Sequence, residues 1–285
     1  MRRWNRKSFR EYLSAIRRFP WLNEIDGAFE TLLYSDCRTD EERKMIFNLL
    51  PNFLYLSGDQ FSGSLRRLAE GIVEDQRYND ATCQIVAMTI GSEVDSGEFV
   101  LYSLKRHFQR LGWTQHKLVN RCDRAYRTYR DSPVHKNIIL VDEFVGTGRT
   151  VVGRIELIER VFNENGITNF SVRARALVAL ESGIDAARES GYEVLAEHVL
   201  PKGISDCFPS DTARKMVGLM LEIESRLALE CNGHELPSLG YQESEALYAR
   251  TDGNTPNNVF PVFWWPYYPE CRSRKTVLTR ALMAG

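Results

Sequence analysis

The chain has 285 residues, 43% of them hydrophobic and 26% charged, with 37 Lys and Arg against 38 Asp and Glu. This is the balance of one or two globular domains, and it excludes the disordered, collagenous and secreted mini-protein classes. A formal net charge of -1 also excludes a polyanion binder by bulk charge, so a nucleic-acid surface would have to be a local patch. No apolar run approaches the roughly 18 residues of a membrane helix, and the opening MRRWNRKSFREYL lacks the apolar core of a secretory signal. The 6 cysteines, at 37, 83, 122, 207, 231 and 271, form no CxxC pair. Their scatter argues against a zinc knuckle and a disulfide scaffold, and the expected compartment is a reducing cytoplasm, with no membrane contact.

The first elements read as helices. Ser8 to Glu11 has capping-box spacing, and Phe9, Tyr12, Leu13 and Ile16 recur at helical intervals before Pro20. Thr39 and Glu42 repeat that signature ahead of Met45, Ile46, Leu49 and Leu50, which Pro51 closes. Leu65, Leu68, Ala69, Ile72 and Val73 predict a further helix. Residues 1–78 therefore read as a helical unit.

The pattern then changes. Gln84 to Ile90 is a short apolar run, Gly91 to Gly97 a polar loop, and a helix follows to about Leu111. Asn137 to Val141 is a second buried-strand candidate, followed by a helix over Val151 to Phe162. Phe170 to Leu180 reads as strand, Gly183 to Ser190 as helix and Glu193 to Val199 as strand. The alternation predicts an α/β core with a parallel sheet over residues 79–205, and such sheets place ligands at the carboxyl ends of their strands. One long helix is predicted over 210–231, with Ser210 as its cap and Gly233 as its stop. Residues 206–285 then make that helix and an aromatic-rich extension packing on the core.

The chemistry concentrates in Ile138 to Thr150, which reads IILVDEFVGTGRT. A buried strand ends in two adjacent carboxylates, Asp142 and Glu143. A short loop with Gly146 and Gly148 follows, and a helix starts directly after it. The glycines let backbone approach a ligand. The helix start offers free N–H groups and a positive dipole end, which suit a phosphate. Thr147 and Thr150 add hydroxyl donors, and Arg149 adds a cation. The carboxylates repel phosphate but suit sugar hydroxyls or a cation, so the segment reads as a sugar-phosphate site. Competing motifs fail. Arg149 stands where a P-loop has Lys, and Val151 where a dinucleotide fingerprint has its third glycine.

These thirteen residues resemble the ribose-phosphate-binding signature of the type I phosphoribosyltransferases: four apolar positions, an acidic pair, three variable residues, then Thr-Gly-x-Thr. The second acid here is Glu, where Asp is more usual. The resemblance implies that Asp142 and Glu143 bind the hydroxyls of 5-phosphoribosyl 1-pyrophosphate (PRPP) and act in catalysis. It implies that Gly146, Thr147, Gly148, Arg149 and Thr150 hold the 5-phosphate. It also implies a pyrophosphate loop after the first core strand, which here is Ser92, Glu93, Asp95, Ser96 and Gly97. That loop is unusually acidic. Glu93 and Asp95 are candidate ligands for Mg2+, and without a metal they would repel pyrophosphate.

The resemblance further implies a mobile loop over the reaction, and residues 105–136 fit by position. They hold nine Lys and Arg against two Asp, with Arg121 and Arg124 as lid or base contacts. Three readings remain open for this stretch: a cationic lid, a nucleic-acid surface with Tyr126 and Tyr129 interleaved, and a solvated helix face. Lys202 follows the last core strand and suits a base or phosphate, or is a plain surface lysine.

The run Asn254-Thr255-Pro256-Asn257-Asn258, with aromatics after it, offers Asn257 and Asn258 to read a base edge; a turn with an aromatic plug is the alternative. Together with the signature it resembles a narrower group, the phosphoribosyltransferase-like proteins of bacterial conflict and anti-phage systems, including retron-type operons. Residues 1–18 carry seven basic side chains and one acid. That segment and 105–136 are the expected docking surfaces for a protein or nucleic-acid partner of a defence complex.

Three readings of function follow. The first is a defence effector that binds PRPP or a ribonucleotide with Mg2+ and transfers or removes a nucleobase. The second is a catalytically silent subunit that senses nucleotide and binds a partner. The third is a housekeeping salvage enzyme, for which the chain is longer than needed.

Overall fold

The computed structural model describes residues 6–25, 27–91 and 95–282. They fall into two compact units, one joining residues 1–58 to 201–285 and the other spanning 59–200.

The discontinuous unit opens with helix α1 (Arg6–Arg18), α2 (Ala28–Thr31), a π-helical turn Leu32–Asp36, and α3 (Asp40–Leu49). Ser8 lies inside α1, so the capping spacing there does not mark a helix start. At α3 the capping box forms. Glu42 N donates to Thr39 Oγ1 at 3.1 Å, and Thr39 N donates to Glu42 Oε2 at 3.3 Å. Two backbone donors that a helix start leaves orphaned are thereby satisfied. Strand β1 (Leu54–Leu56) follows.

The continuous unit holds α4 (Gly58–Glu74), β2 (Cys83–Ala87), α5 (Ser96–Arg110), β3 (Lys117–Val119), α6 (Ala125–Asp131) and β4 (Asn137–Val145). It continues with α7 (Arg149–Glu164), β5 (Ser171–Leu180), α8 (Glu181–Glu189) and β6 (Val194–Leu200). All five strands are parallel, in the order β3-β2-β4-β5-β6. This is the expected α/β sheet. β4 is its middle strand, and Ile138, Leu140, Ile155, Ile158 and Phe162 are buried in one cluster between sheet and helices. Parallel strands covered on both faces read as continuous apolar runs, which is why β2 and β4 were legible.

Helix α4 belongs with the sheet, not with an N-terminal helical unit ending at 78. Its Ser64 Oγ lies 2.8 Å from His198 Nε2 on β6, and its Arg67 pairs with Glu197 at 3.5 Å. The stretch 105–136 is also regular structure, not a loop: the end of α5, then β3, then α6. Tyr126 and Tyr129 pack on Phe162, with ring centroids 5.4 and 5.2 Å away. Both rings are half-buried against that cluster.

The discontinuous unit resumes with α9 (Ser210–Glu224), a hairpin of β7 (Glu230–Cys231) and β8 (His234–Glu235), and β9 (Tyr248–Arg250), which pairs in parallel with β1. A last small pair is β10 (Tyr267–Tyr268) and β11 (Arg272–Ser273). α9 is shorter than the helix expected over 210–231, and Pro209, not Ser210, is its cap residue. The chain leaves the helix because Arg226 turns inward, donating to Asp36 O at 2.8 Å and Glu42 Oε2 at 3.0 Å. Asn232 and Gly233, at φ 52° and 76°, then form a two-residue hairpin turn. Gly233 is a turn residue and stops no helix.

The aromatic tail is the core of this unit. Phe260, Phe263, Trp264 and Trp265 are fully buried, and Trp264 Nε1 donates to Val259 O at 2.8 Å. The polar centre is Asp36. Arg274 donates to its Oδ2 through two nitrogens at 2.6 and 3.0 Å, and Tyr268 Oη donates to its Oδ1 at 2.7 Å. Arg274 also donates to Trp265 O and Val262 O. Cys231 and Cys271 form a disulfide, against the expectation from the cysteine spacing. Their partnership spans 40 residues and is made by tertiary folding, which spacing does not reveal. No helix among the described residues is long and apolar enough to cross a membrane.

Arg274→Met would leave Asp36 buried with one partner. The expected loss of stability is about 3–5 kcal/mol in urea unfolding, with part of it recovered when Asp36→Asn is added. A loss below about 1 kcal/mol would contradict the pairing.

Candidate functional site

The acidic pair lies near the carboxyl end of β4, within the strand itself. Successive strand residues face opposite sides of a sheet, so the two carboxylates are not equivalent. Glu143 is only 3% exposed, whereas Asp142 is half-buried. Asp142 Oδ1 accepts from Ser96 Oγ and from Glu143 N, both at 2.7 Å. Burial pushes the Asp142 carboxyl up from its ordinary value of 3.8 to about 7, and the charges of Asp95 and Glu143 add to the rise. The two hydrogen bonds oppose the rise without overcoming it.

Asp95 is the N-cap of α5. It accepts from Gly97 N at 2.9 Å and Glu98 N at 3.3 Å, and the Thr89 hydroxyl donates to the same oxygen. The first turn of α5, carrying Ser96 and Gly97, is thus tied to the exit of β2 and leans on Asp142 through Ser96. Ser92 and Glu93 lie outside the described residues. Among the described residues no three His, Cys, Asp or Glu side chains group to hold a metal ion. The raised carboxyl of Asp142, with Asp95 and Glu143 near it, fits a Mg2+ ion that one carboxylate would share with ligand oxygens.

Loop 146–148 turns from β4 into α7. Gly148 is the N-cap residue at φ 79°, and no side chain caps the helix. The first-turn N–H groups of α7 therefore receive no capping side chain. Arg149 and Thr150 are exposed at that end, and Gly146 and Thr147 are half-buried. Gly183, in the first turn of α8, packs backbone to backbone against this loop. A Cβ on Gly183 would stand 2.1 Å from Gly146 O, and one on Gly148 would stand 2.5 Å from Gly183 O. Three glycines therefore make one crossing. The sequence reading found two of them and missed Gly183, because a lone glycine in a helix's first turn carries no local signal of a remote partner.

A family model described as PRTase-CE matches residues 21–271. The chain belongs to this family. It is a type I phosphoribosyltransferase-like protein, with the parallel sheet and the strand-loop-helix segment described above. No curated protein matches the chain. Among solved structures, orotate phosphoribosyltransferase from Aeropyrum pernix is 17% identical over 50% of this chain and 71% of its own, with a TM-score of 0.31. Hypoxanthine-guanine phosphoribosyltransferase from Schistosoma mansoni, in complex with IMP, is 17% identical over 51% of this chain and 65% of its own, at 0.33. Adenine phosphoribosyltransferase from Thermoanaerobacter pseudethanolicus is 17% identical over 50% of this chain and 81% of its own, at 0.31.

The remaining expected site residues of this PRTase-CE chain have the following local settings. Arg121 pairs with Asp123 at 2.6 Å, and Arg124 is exposed at the start of α6. Lys202, Asn257 and Asn258 belong to the discontinuous unit. Lys202 N donates to Asp206 Oδ2 at 2.9 Å. Asn258 is 8% exposed, its Nδ2 donates to Ser244 Oγ at 3.1 Å, and its carbonyl accepts from Ala246 N. The side-chain nitrogen and the backbone carbonyl of Asn258 thus build the turn. Asn257 O accepts from Tyr241 N at 2.9 Å.

Gly183→Ala is expected to push loop 146–148 off its position and to cost about 1–3 kcal/mol in stability. Gly153→Ala on α7, where a Cβ meets nothing within 4 Å, is expected to gain about 0.5–1 kcal/mol. Equal thermal shifts for the two variants would refute the crossing. Asp142 sets a pH dependence as well. The folded state holds its proton up to about pH 7, while the unfolded chain releases it near 3.8. Stability should therefore fall as pH rises through that window. Asp142→Asn should raise the melting temperature at pH 8 and give no gain near pH 4. A gain of the same size at both pH values would exclude Asp142 as the group responsible.

Proposed function

We propose that this PRTase-CE protein binds PRPP or a ribonucleotide together with Mg2+ and transfers or removes a nucleobase. The observation that carries this reading is the uncapped start of α7, directly after Asp142 and Glu143 on the same strand-loop-helix segment. In it the N–H groups of Gly148 to Thr150 and the threonine hydroxyls hold the 5-phosphate. Asp142 accepts a ribose hydroxyl in place of the Ser96 hydroxyl it now receives, which places the anomeric carbon at the mouth of the sheet. Carboxylates at that point favour the positive charge that develops on the sugar as the bond to its leaving group breaks. Mg2+, when bound, neutralises charge on the leaving pyrophosphate.

The role proposed is that of an effector or accessory subunit in a bacterial defence system. It rests on the resemblance carried by Asn254 to Asn258 and on the basic α1. Arg10, Arg17 and Arg18 border a hollow of about 440 Å3 on that helix, a surface suited to an acidic partner.

Calorimetric titration of PRPP with and without Mg2+ tests the pocket. Binding should require Mg2+ and weaken at least about tenfold in Asp142→Asn, the loss of one charge-assisted hydrogen bond. Binding of equal strength in wild type and variant would reject the placement of the ribose. Binding followed by release of base or pyrophosphate identifies an enzyme, and binding without turnover identifies the silent sensor.

A further inference from the structure

The discontinuous unit contains a cavity of about 410 Å3 that the proposed function does not use. Its wall runs from the turn before α3, across the end of α9, to the β10–β11 hairpin. A volume of this size suits a small ligand.

The charges of this wall are unequal in their commitments. Asp36 is its single acid, and that carboxylate is already satisfied by the Arg274 guanidinium and the Tyr268 hydroxyl. Arg226 is likewise spent, since it donates to Glu42 and to Asp36 O. Two guanidiniums remain. Arg38 and Arg272 both line the cavity, both are exposed, and neither has an acidic partner among the described residues. Arg272 makes one long contact, 3.4 Å from its Nε to Pro269 O, and lies over the Tyr268 ring at 5.9 Å. The cavity therefore presents two unspent, planar, five-donor cations beside an aromatic ring and the apolar Ile223, Leu227 and Pro269.

The hairpin that supplies Tyr268 and Arg272 is held in a costly shape. Glu270 and Cys271, at its turn, have φ of 63° and 53°, a left-handed conformation that L residues adopt only when the surroundings impose it. Cys271 is bonded to Cys231 on β7, and Tyr268 is fixed by its bond to Asp36. A wall constrained at both ends is preorganised, which lowers the entropy lost when a ligand binds.

From the unspent arginines, the aromatic and apolar wall and the fixed hairpin, we infer that this cavity is a second ligand site, taking a small phosphorylated molecule of the nucleoside monophosphate class. The phosphate sits between Arg38 and Arg272, and the base lies against Tyr268 and Pro269. The inference is independent of what the loop at 146–150 binds.

The ring resonances of Tyr268, assigned with Tyr268→Phe, report this cavity and not that loop. Inorganic phosphate and adenosine 5′-monophosphate are titrated separately into the full chain at low salt, where exposed charges are least screened. The nucleotide should shift the Tyr268 resonances saturably, and more tightly than phosphate does. The Arg38→Gln/Arg272→Gln double variant should weaken that binding at least about tenfold. Its melting temperature should hold, since both side chains are exposed and hold no ion pair among the described residues. Phosphate and nucleotide binding with equal strength would overturn the nucleoside part and leave an inorganic-anion site. Resonances unmoved by either probe, or titrations equally strong in the double variant, would overturn the site altogether.

Discussion

The glycine crossing is the constraint on which the candidate site depends. Gly146, Gly148 and Gly183 bring two backbone segments closer than any side chain permits, with a Cβ at 183 falling 2.1 Å from a carbonyl oxygen. Because β4 and β5 are adjacent parallel strands, the loop leaving β4 and the helix leaving β5 emerge side by side. Only the absence of side chains lets them close up. The closure seats Gly148 at φ 79° and leaves the start of α7 without a side-chain cap. An open helix start is normally a cost. Here no capping side chain offsets it.

The acidic half of the site stores a second cost. Asp142 is driven toward neutrality by burial and by the carboxylates beside it. A group that is uncomfortable as an anion in the free protein is relieved by whatever brings hydroxyl donors or a cation to it. The uncapped helix start and the raised carboxyl of Asp142 lie on one continuous segment of backbone. Perturbed carboxyls also occur in purely structural networks. The pairing of this one with an uncapped helix start is what distinguishes it.

The discontinuous unit follows a different logic. Its aromatic core encloses a polar knot at Asp36, where Arg274 and Tyr268 converge from the end of the chain. A buried pair of this kind contributes less to net stability than to fixing a single arrangement, since either partner alone would be penalised. Burial, aided by the neighbouring Asp36 carboxylate, pushes the Tyr268 hydroxyl up to about 12, so it remains a donor across the physiological range. Arg226 and Glu42 tie α9 to α3 by the same means. The unit holds its shape through charge pairs drawn from opposite ends of the sequence.

The sequence by itself determined what is local. The parallel α/β class, the strand β4, the capping box at Thr39 and Glu42, and the segment from Ile138 to Thr150 all follow from patterns within about fifteen residues, the reach of helix and strand periodicity. Tertiary structure decided everything that needs two distant segments. Gly183 became part of the loop because β4 and β5 pair. Asn258 became a turn-builder because Ser244 and Ala246 claim it. Tyr126 and Tyr129 lean on the core because Phe162 meets them, and Cys231 found Cys271. In each case the local run of residues left the role open. Contact with a partner outside its own element decided it, and such contacts depend on the assembled fold rather than on the local run of residues.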